Sequence, residues 1–421
     1  ITVTDSTSGT RATLTATYTL QVTARPDPAN DPEVRGLVRA QVDATRRFAD
    51  AQVDNFMQRM ESMHGEGGDA AGSGTGIALR NSVRIATLDY CRDALTMMTN
   101  PACENRARVA GVIALNNWRA EGEAKKAGQA PAAASAGGSG AGGGGPWTIW
   151  AGGAVRFGDR DANSGRVRQE FESEGITIGA DHRFSSSFAA GLGIGLGRDT
   201  ADTGDNGSRS RGEARTIAIY ASTLPAKGWF IDALVGYQGL DFDLTRYVTP
   251  TGALINSRRD GHQWFATVST GTDIQSGNWQ LTPYARFDLT RAKLKGYSER
   301  SGSAFDLTYL DQNVNFTSLG LGSRVQYRGE TAWGALMPQL RAEYQWNVER
   351  SADARVAYRD LATGPYSTIP LSGIGREELT LGAKLEALIG SNIALAVEYL
   401  GRFSKGNGSD GTIQIGVEYA F

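Results

Sequence analysis

Histidine and cysteine are scarce in this chain of 421 residues, with three of the first and two of the second. His64, His182 and His262 are widely scattered and no Cys-x-x-Cys occurs, so neither a metal site nor a cofactor is expected. No apolar run approaches the ~18–20 residues of a membrane helix. The net charge of −2 gives no reason to expect nucleic-acid binding. Proline is sparse, twelve residues against fifty-four glycines, which suits turn-rich β structure. Cys91 and Cys103 lie twelve positions apart. In an oxidising compartment they would close a small loop worth about 2–4 kcal/mol; in the cytosol they would be two buried thiols. With 40% hydrophobic residues the composition suits a soluble protein, and equally a membrane barrel in which only alternate residues meet lipid.

Three segments precede the main body. Residues 1–22 alternate Thr with Leu14, Ala16, Tyr18, Leu20 and Val22, like the last strand or two of an immunoglobulin-like module. Because Ile1 stands inside this alternation, the chain is expected to be part of a longer secreted precursor. A Pro-containing linker runs to residue 30. A long helix is predicted over 31–64: Asp31 can cap it, Pro32 fits the first turn, Glu33 suits the positive end and Gly65 can stop it. Val34, Leu37, Val38, Val42, Phe48, Val53, Phe56, Met57, Met60 and Met63 form its apolar face, opposite Arg39, Asp43, Arg46, Asp50, Asp54 and Arg59. A coiled-coil or surface-packed helix has the same character. The segment to 145 holds the cysteine pair, a possible second helix at 104–126 and an Ala/Gly/Ser linker ending in Gly142–Gly145.

From residue 146 the period is two. Strands are predicted near 147–157, 171–184, 188–198, 213–224, 228–245, 260–274, 278–296, 312–327, 332–349, 375–389, 392–404 and 411–421. Leu379, Leu381, Ala383, Leu385 and Ala387 oppose Thr380, Gly382, Lys384 and Glu386; a soluble sandwich would turn the charged face outward. Connections near 185–187, 225–227, 275–277, 328–331 and 390–391 are tight turns. Between them lie longer polar ones at 158–170, 199–212, 246–259, 297–311, 350–374 and 405–410. Regular alternation of short and long links predicts an all-β, twelve-stranded antiparallel transmembrane barrel with both ends on the periplasmic side. Aromatics near strand ends, among them Trp147, Phe184, Trp229, Trp279 and Trp346, fit interfacial girdles.

The chain ends on Gln414-Ile415-Gly416-Val417-Glu418-Tyr419-Ala420-Phe421, an alternating strand closed by an aromatic carboxyl terminus. Gln414, Gly416, Tyr419 and Phe421 resemble the signal read by the outer-membrane barrel-assembly machinery. With GITIGADHRF at 175–184, TPYARFD at 282–288 and MPQLRAEYQW at 337–346, residues 146–421 resemble the translocator of type Va autotransporters. The resemblance implies a barrel in the outer membrane of a Gram-negative bacterium, with lipid, the assembly machinery and periplasmic chaperones as partners. A helix would thread its lumen, and an N-terminal passenger would be delivered to the cell surface. The corresponding division is passenger end and linker (1–30), helical and linker segment (31–145) and barrel (146–421). A plain outer-membrane pore or adhesin barrel is the alternative.

A barrel of this size is wide enough for one helix. Alternation aims Arg156, Asp181, Arg183, Asp232, Arg286, Asp288, Arg341, Glu343, Lys384, Glu386, Glu398 and Arg402 at the lumen. They can pair with a charged helix or with one another across strands. Either 31–64 or 104–126 can be that helix. Asn116-Asn117 is the type of pair at which some autotransporters cut themselves, but its flanks (LNNWRAEG) differ from theirs, so no processing is expected. Asp181 and His182 point to opposite faces and cannot form a protease site, and the same-strand neighbours of His262, Asp260 and Trp264, supply no nucleophile. Esterases of the family carry their nucleophile in the passenger, so no enzyme activity is expected.

Overall fold

The computed structural model describes residues 2–4, 13–15, 25–66, 81–83, 147–160, 162, 167–331, 334–361, 363–371, 375–389, 393–404 and 408–419. Twelve long strands form a closed antiparallel barrel: β1 (Trp147–Arg160), β2 (Gln169–Ser185), β3 (Phe188–Thr203), β4 (Ser208–Ala226), β5 (Trp229–Val248), β6 (Ala253–Thr272), β7 (Trp279–Leu294), β8 (Gln312–Tyr327), β9 (Gly334–Ser351), β10 (Glu377–Ile389), β11 (Ile393–Ser404) and β12 (Gly408–Tyr419). Each pairs with the next in sequence, and β12 returns to β1 through the register Ser409↔Asp159 to Ile413↔Val155. Next to this seam, Asn81–Val83 pairs with β12 at Ile415–Val417. Closure removes every free edge over the paired length, the condition for a sheet to sit in lipid.

The faces are inverted relative to a soluble protein. Ile178, Ile194, Ile219, Leu321, Leu340 and Val397 are exposed on the outside, Leu340 at 66%. Thr177, Asp181, Asp232, Gln238, Gln263 and Glu398 are buried inside. Such a distribution suits hydrocarbon outside and a polar interior. At the periplasmic end His182 contacts both Trp147 and Phe184, and Trp279 contacts Tyr327, consistent with an interfacial girdle. No helix among the described residues is long and apolar enough to cross a membrane.

Two expectations about the long connections are corrected. The links placed at 199–212 and 246–259 are mostly strand: β3 to β6 run on until tight turns near 204–207 and 249–252. β5 and β6 reach 20 residues each, about twice what a bilayer needs. The misread outer ends of β4 and β6 carry Arg209, Arg211 and Arg258 on the external face, so a strand standing in water had the composition of a loop. The links at 297–311 and 350–374 contain a second sheet of four antiparallel strands, Tyr297–Ser298, Leu307–Tyr309, Ala354–Tyr358 and Ser367–Ile369. Buried Leu307, Tyr309, Val356, Ile369 and Leu371 are its apolar side.

Helix α1 (Pro32–Glu66) has 35 residues, about 52 Å at 1.5 Å each. Asp31 Oδ1 accepts the N–H of Glu33, and a preceding 3-10 turn, Pro28–Asn30, is capped by Asp27. The helix lies inside the barrel against β1 to β5, its N-terminus at the extracellular end and its C-terminus near the periplasmic turns.

Candidate lumen site

The helix fits because one strand turns no side chain toward it over the middle of its length. Gly193, Gly195 and Gly197 on β3 face inward, and a Cβ there would meet Phe56, Gln52 and Phe48 respectively. Four helix residues rise 6.0 Å and two strand residues about 6.7 Å, so the two periods stay in step over this contact. Glycine is needed for close approach here, not for turning.

Polar side chains then fix the helix at successive depths. Near the outer end Asn206 donates to Glu33 Oε1 at 2.8 Å. Below it, Arg47 grips Asp199 through Nε (2.7 Å) and Nη2 (2.9 Å). Thr177 donates to Gln52 and accepts from Asn55. Arg59 makes the same fork to Asp181, at 2.9 Å for both nitrogens, and the Tyr220 hydroxyl donates to Asp181 as well. At the inner end His64 Nε2 lies 2.9 Å from Asp232 Oδ1, its ring stacked on Phe230. Bidentate guanidinium–carboxylate pairs are strong and set orientation as well as distance.

Of the twelve residues aimed at the lumen, six meet the helix. Arg156 bonds Asp410 (2.7 Å) and Asp50 (3.1 Å), Asp181 holds Arg59, and Arg183 donates to the Met63 carbonyl at 3.4 Å. Asp232 holds His64, Arg341 reaches Glu61 at 3.1 Å and Arg402 reaches Asp54 at 2.7 Å. Others pair among the strands: Arg286 with Asp288 (3.0 Å) and Glu343 (2.8 Å), Lys384 with Glu386 (2.7 Å). Glu398 is buried beside them.

Sequence reasoning missed the glutamines and two arginines. Gln238 and Gln263 donate to the carbonyls of Phe48 and Thr45, and Arg259 donates to Gln41 at 3.0 Å. Arg324 pairs with Glu61. All four lie on inward positions of their strands; period two could have found Gln238, Gln263 and Arg324, whereas Arg259 fell in a stretch read as a loop. Cys91, Cys103, Asn116, Asn117, Phe421 and the alternative helix 104–126 lie outside the described residues. Gln414, Gly416 and Tyr419 pair with Glu398, Ala396 and Ile393.

The interior is divided along its length. At the outer end Val34, Leu37, Val38, Val42 and Phe48 join Leu240, Phe242, Leu294, Val314 and the loop-sheet residues Leu307, Tyr309, Val356 and Ile369 in one apolar cluster. At the inner end a polar chamber of about 1280 Å³ remains between the helix and the far wall, bordered by Glu61, His64, Lys227, Arg286, Arg324 and Lys384. It reaches the periplasmic turns at Ser186–Ser187 and Lys227–Gly228.

The autotransporter beta-domain family model matches residues 149–400. The chain belongs to the autotransporter family. Its barrel is an outer-membrane β-domain, the translocation unit of such a protein, and the alternative of an unrelated pore gives way to it. The translocator domain of autotransporter NalP from Neisseria meningitidis has the same fold, with a TM-score of 0.50 at 14% identity over 75% of this chain and 98% of that one. Esterase EstA of Pseudomonas aeruginosa and of Pseudomonas putida are both 28% identical over 235 residues, 54% of this chain and 35% of theirs. The chain thus spans about a third of the length of these curated relatives. Their name corrects the expectation of no enzyme activity: autotransporters related to this chain are esterases. That expectation came from the barrel strands, where Asp181 and His182 point to opposite faces and His262 has only Asp260 and Trp264 beside it on its strand.

Proposed function

We propose that this autotransporter delivers an esterase passenger to the cell surface and then keeps helix α1 in the barrel as a permanent plug. Residues 1–30 would be the passenger's end and linker, 31–145 the helical and linker segment, and 146–421 the membrane anchor. The observation that carries the reading is the direction of α1: its N-terminus is at the extracellular end, so the chain before it is directed outward. Glu33 meets Asn206 and Asp31 meets Thr249, both at the outer turns. The esterase assignment is supported by the names of the relatives, and the nucleophile would lie in the passenger. Insertion would use the barrel-assembly machinery and periplasmic chaperones, with Gln414, Gly416, Tyr419 and Phe421 as the recognition strand.

Whole cells expressing the full-length protein should hydrolyse a membrane-impermeant ester, and external protease should remove that activity while leaving the barrel. Activity confined to the periplasm would overturn surface delivery. Deleting Tyr419–Phe421 should abolish insertion; normal membrane assembly without them would refute the recognition role.

A further inference from the structure

The lipid-facing side of β1 to β4 carries a groove of about 400 Å³ that the translocation function does not use. Its depth in the membrane follows from strand register. One row reads Val155, Glu174, Arg198, Glu213; the row beneath reads Gly153, Ile176, Leu196, Arg215. Ile176 and Leu196 form an apolar floor in the row beneath Glu174, Arg198 and Glu213, and Val155 and Gly153 border the groove on the β1 side.

The rim lies where the apolar band ends on the extracellular side. One row further in, Ile178, Ile194 and Ile217 align with Tyr237 and Trp264, an aromatic pair with rings 4.9 Å apart. One row further out the external face turns polar at Arg211 and Asp243. Interfacial aromatics mark headgroup depth, so Arg198 and Arg215 stand at the headgroups of the outer leaflet.

Their pairing is loose. Arg198 is 63% exposed and lies 3.8 Å from Glu174 and 3.6 Å from Glu213; Arg215 is 73% exposed and 3.7 Å from Asp241. Further out, Arg258 meets Asp243 at 2.8 Å. At 3.6–3.8 Å a guanidinium keeps donors available for a better acceptor, and a phosphate accepts two in fork geometry. Glu174, Glu213 and Asp241 leave the rim with no net positive charge, so recognition rests on guanidinium geometry and not on bulk potential.

We propose that this groove is a binding site for lipid A, the phosphorylated, acylated anchor of lipopolysaccharide in the outer leaflet. A phosphate sits between Arg198 and Arg215, and an acyl chain runs inward from it along Ile176 and Leu196 toward Ile178 and Ile194. The site ties β1, the strand at the closing seam, to β4 through one lipid.

Purified protein in phosphatidylcholine nanodiscs is titrated with bisphosphorylated lipid A and bound lipid is read by native mass spectrometry. Arg198→Gln with Arg215→Gln should weaken retention about tenfold, Arg198→Lys with Arg215→Lys should keep part of it, and Arg258→Gln should leave it unchanged. All substituted side chains are exposed, and heat-dependent gel mobility verifies that each barrel is folded. Equal retention by the double Gln variant, equal binding of dephosphorylated lipid A, or binding of phosphatidylglycerol as tight as lipid A would each overturn the proposal.

Discussion

Gln52 on the helix lies directly over Gly195 on β3, so that a Cβ at Gly195 would overlap the Gln52 side-chain amide. The same strand offers Gly193 to Phe56 and Gly197 to Phe48, and Gln52 also accepts from Thr177. Gly195→Val should therefore push the helix from the wall, with an overpacking cost of about 1–3 kcal/mol. Protease protection of α1 in the folded barrel is the measurement. Gly239→Ala, where a Cβ meets nothing within 4 Å, is the matched control and should change nothing. Equal protection in both variants would mean that the glycine row does not seat the helix.

Arg59 and Asp181 are each about 97% removed from solvent and joined by two hydrogen bonds. Taking two ions out of water is costly, and the pair offsets that cost only while both members are present. Arg59→Ala leaves Asp181 with Tyr220 alone and should destabilise the plugged barrel by about 3–5 kcal/mol. Replacing both members, Arg59→Met with Asp181→Leu, should recover much of the loss. The temperature of the heat-dependent mobility shift ranks the variants. A double variant as weak as Arg59→Ala would show that the pair gives more than mutual neutralisation.

The extracellular sheet should loosen in acid. Asp306 lies between two of its strands, where burial alone would raise its pKa. The Ser301 hydroxyl and the N–H groups of Ser301 and Gly302 outweigh that burial, with Arg359 adding to them, so the carboxyl titrates below its usual range. A folded-state pKa below the unfolded one gives stability that is present above about pH 4 and lost as pH falls through the lower folded value. Hydrogen exchange of residues 297–311 should be slow at neutral pH and accelerate below the ordinary carboxylate range. Asp306→Asn should make exchange faster at neutral pH and flatten that dependence; an unchanged pH profile in the variant would assign the acid response to other groups.

Much of this was legible in the sequence because one face of every spanning strand meets hydrocarbon. Period two therefore marked all twelve strands, and Leu379 to Ala387 against Thr380 to Glu386 fixed which face was which. The rule lapses where strands stand in water on both sides, and so Arg209, Arg211 and Arg258 were assigned to loops. It also said little about the interior, where a buried Gln238 counts as much as a buried Asp181. Helix α1 reads as amphipathic, yet Arg47 and Arg59 are as buried as Phe48, because the wall opposite them supplies carboxylates. That complementarity exists only between segments more than a hundred residues apart.

The division of the interior predicts how the plug blocks ions. The inner chamber is polar and reaches the periplasmic turns, so it adds no barrier from that side. The barrier lies outward, where Leu37, Val38 and Val42 pack into the loop sheet and the buried Arg246–Glu299 pair, at 2.7 Å, closes the ring beside them. In planar bilayers the full chain should show low conductance, and a chain beginning at residue 147 should conduct freely. Leu37→Asp with Val38→Asp should raise conductance while α1 stays in place, since water would then enter the apolar cluster. Glu61→Gln, which faces the chamber, should leave it low. High conductance from Glu61→Gln, with the aspartate pair inert, would move the barrier to the periplasmic half.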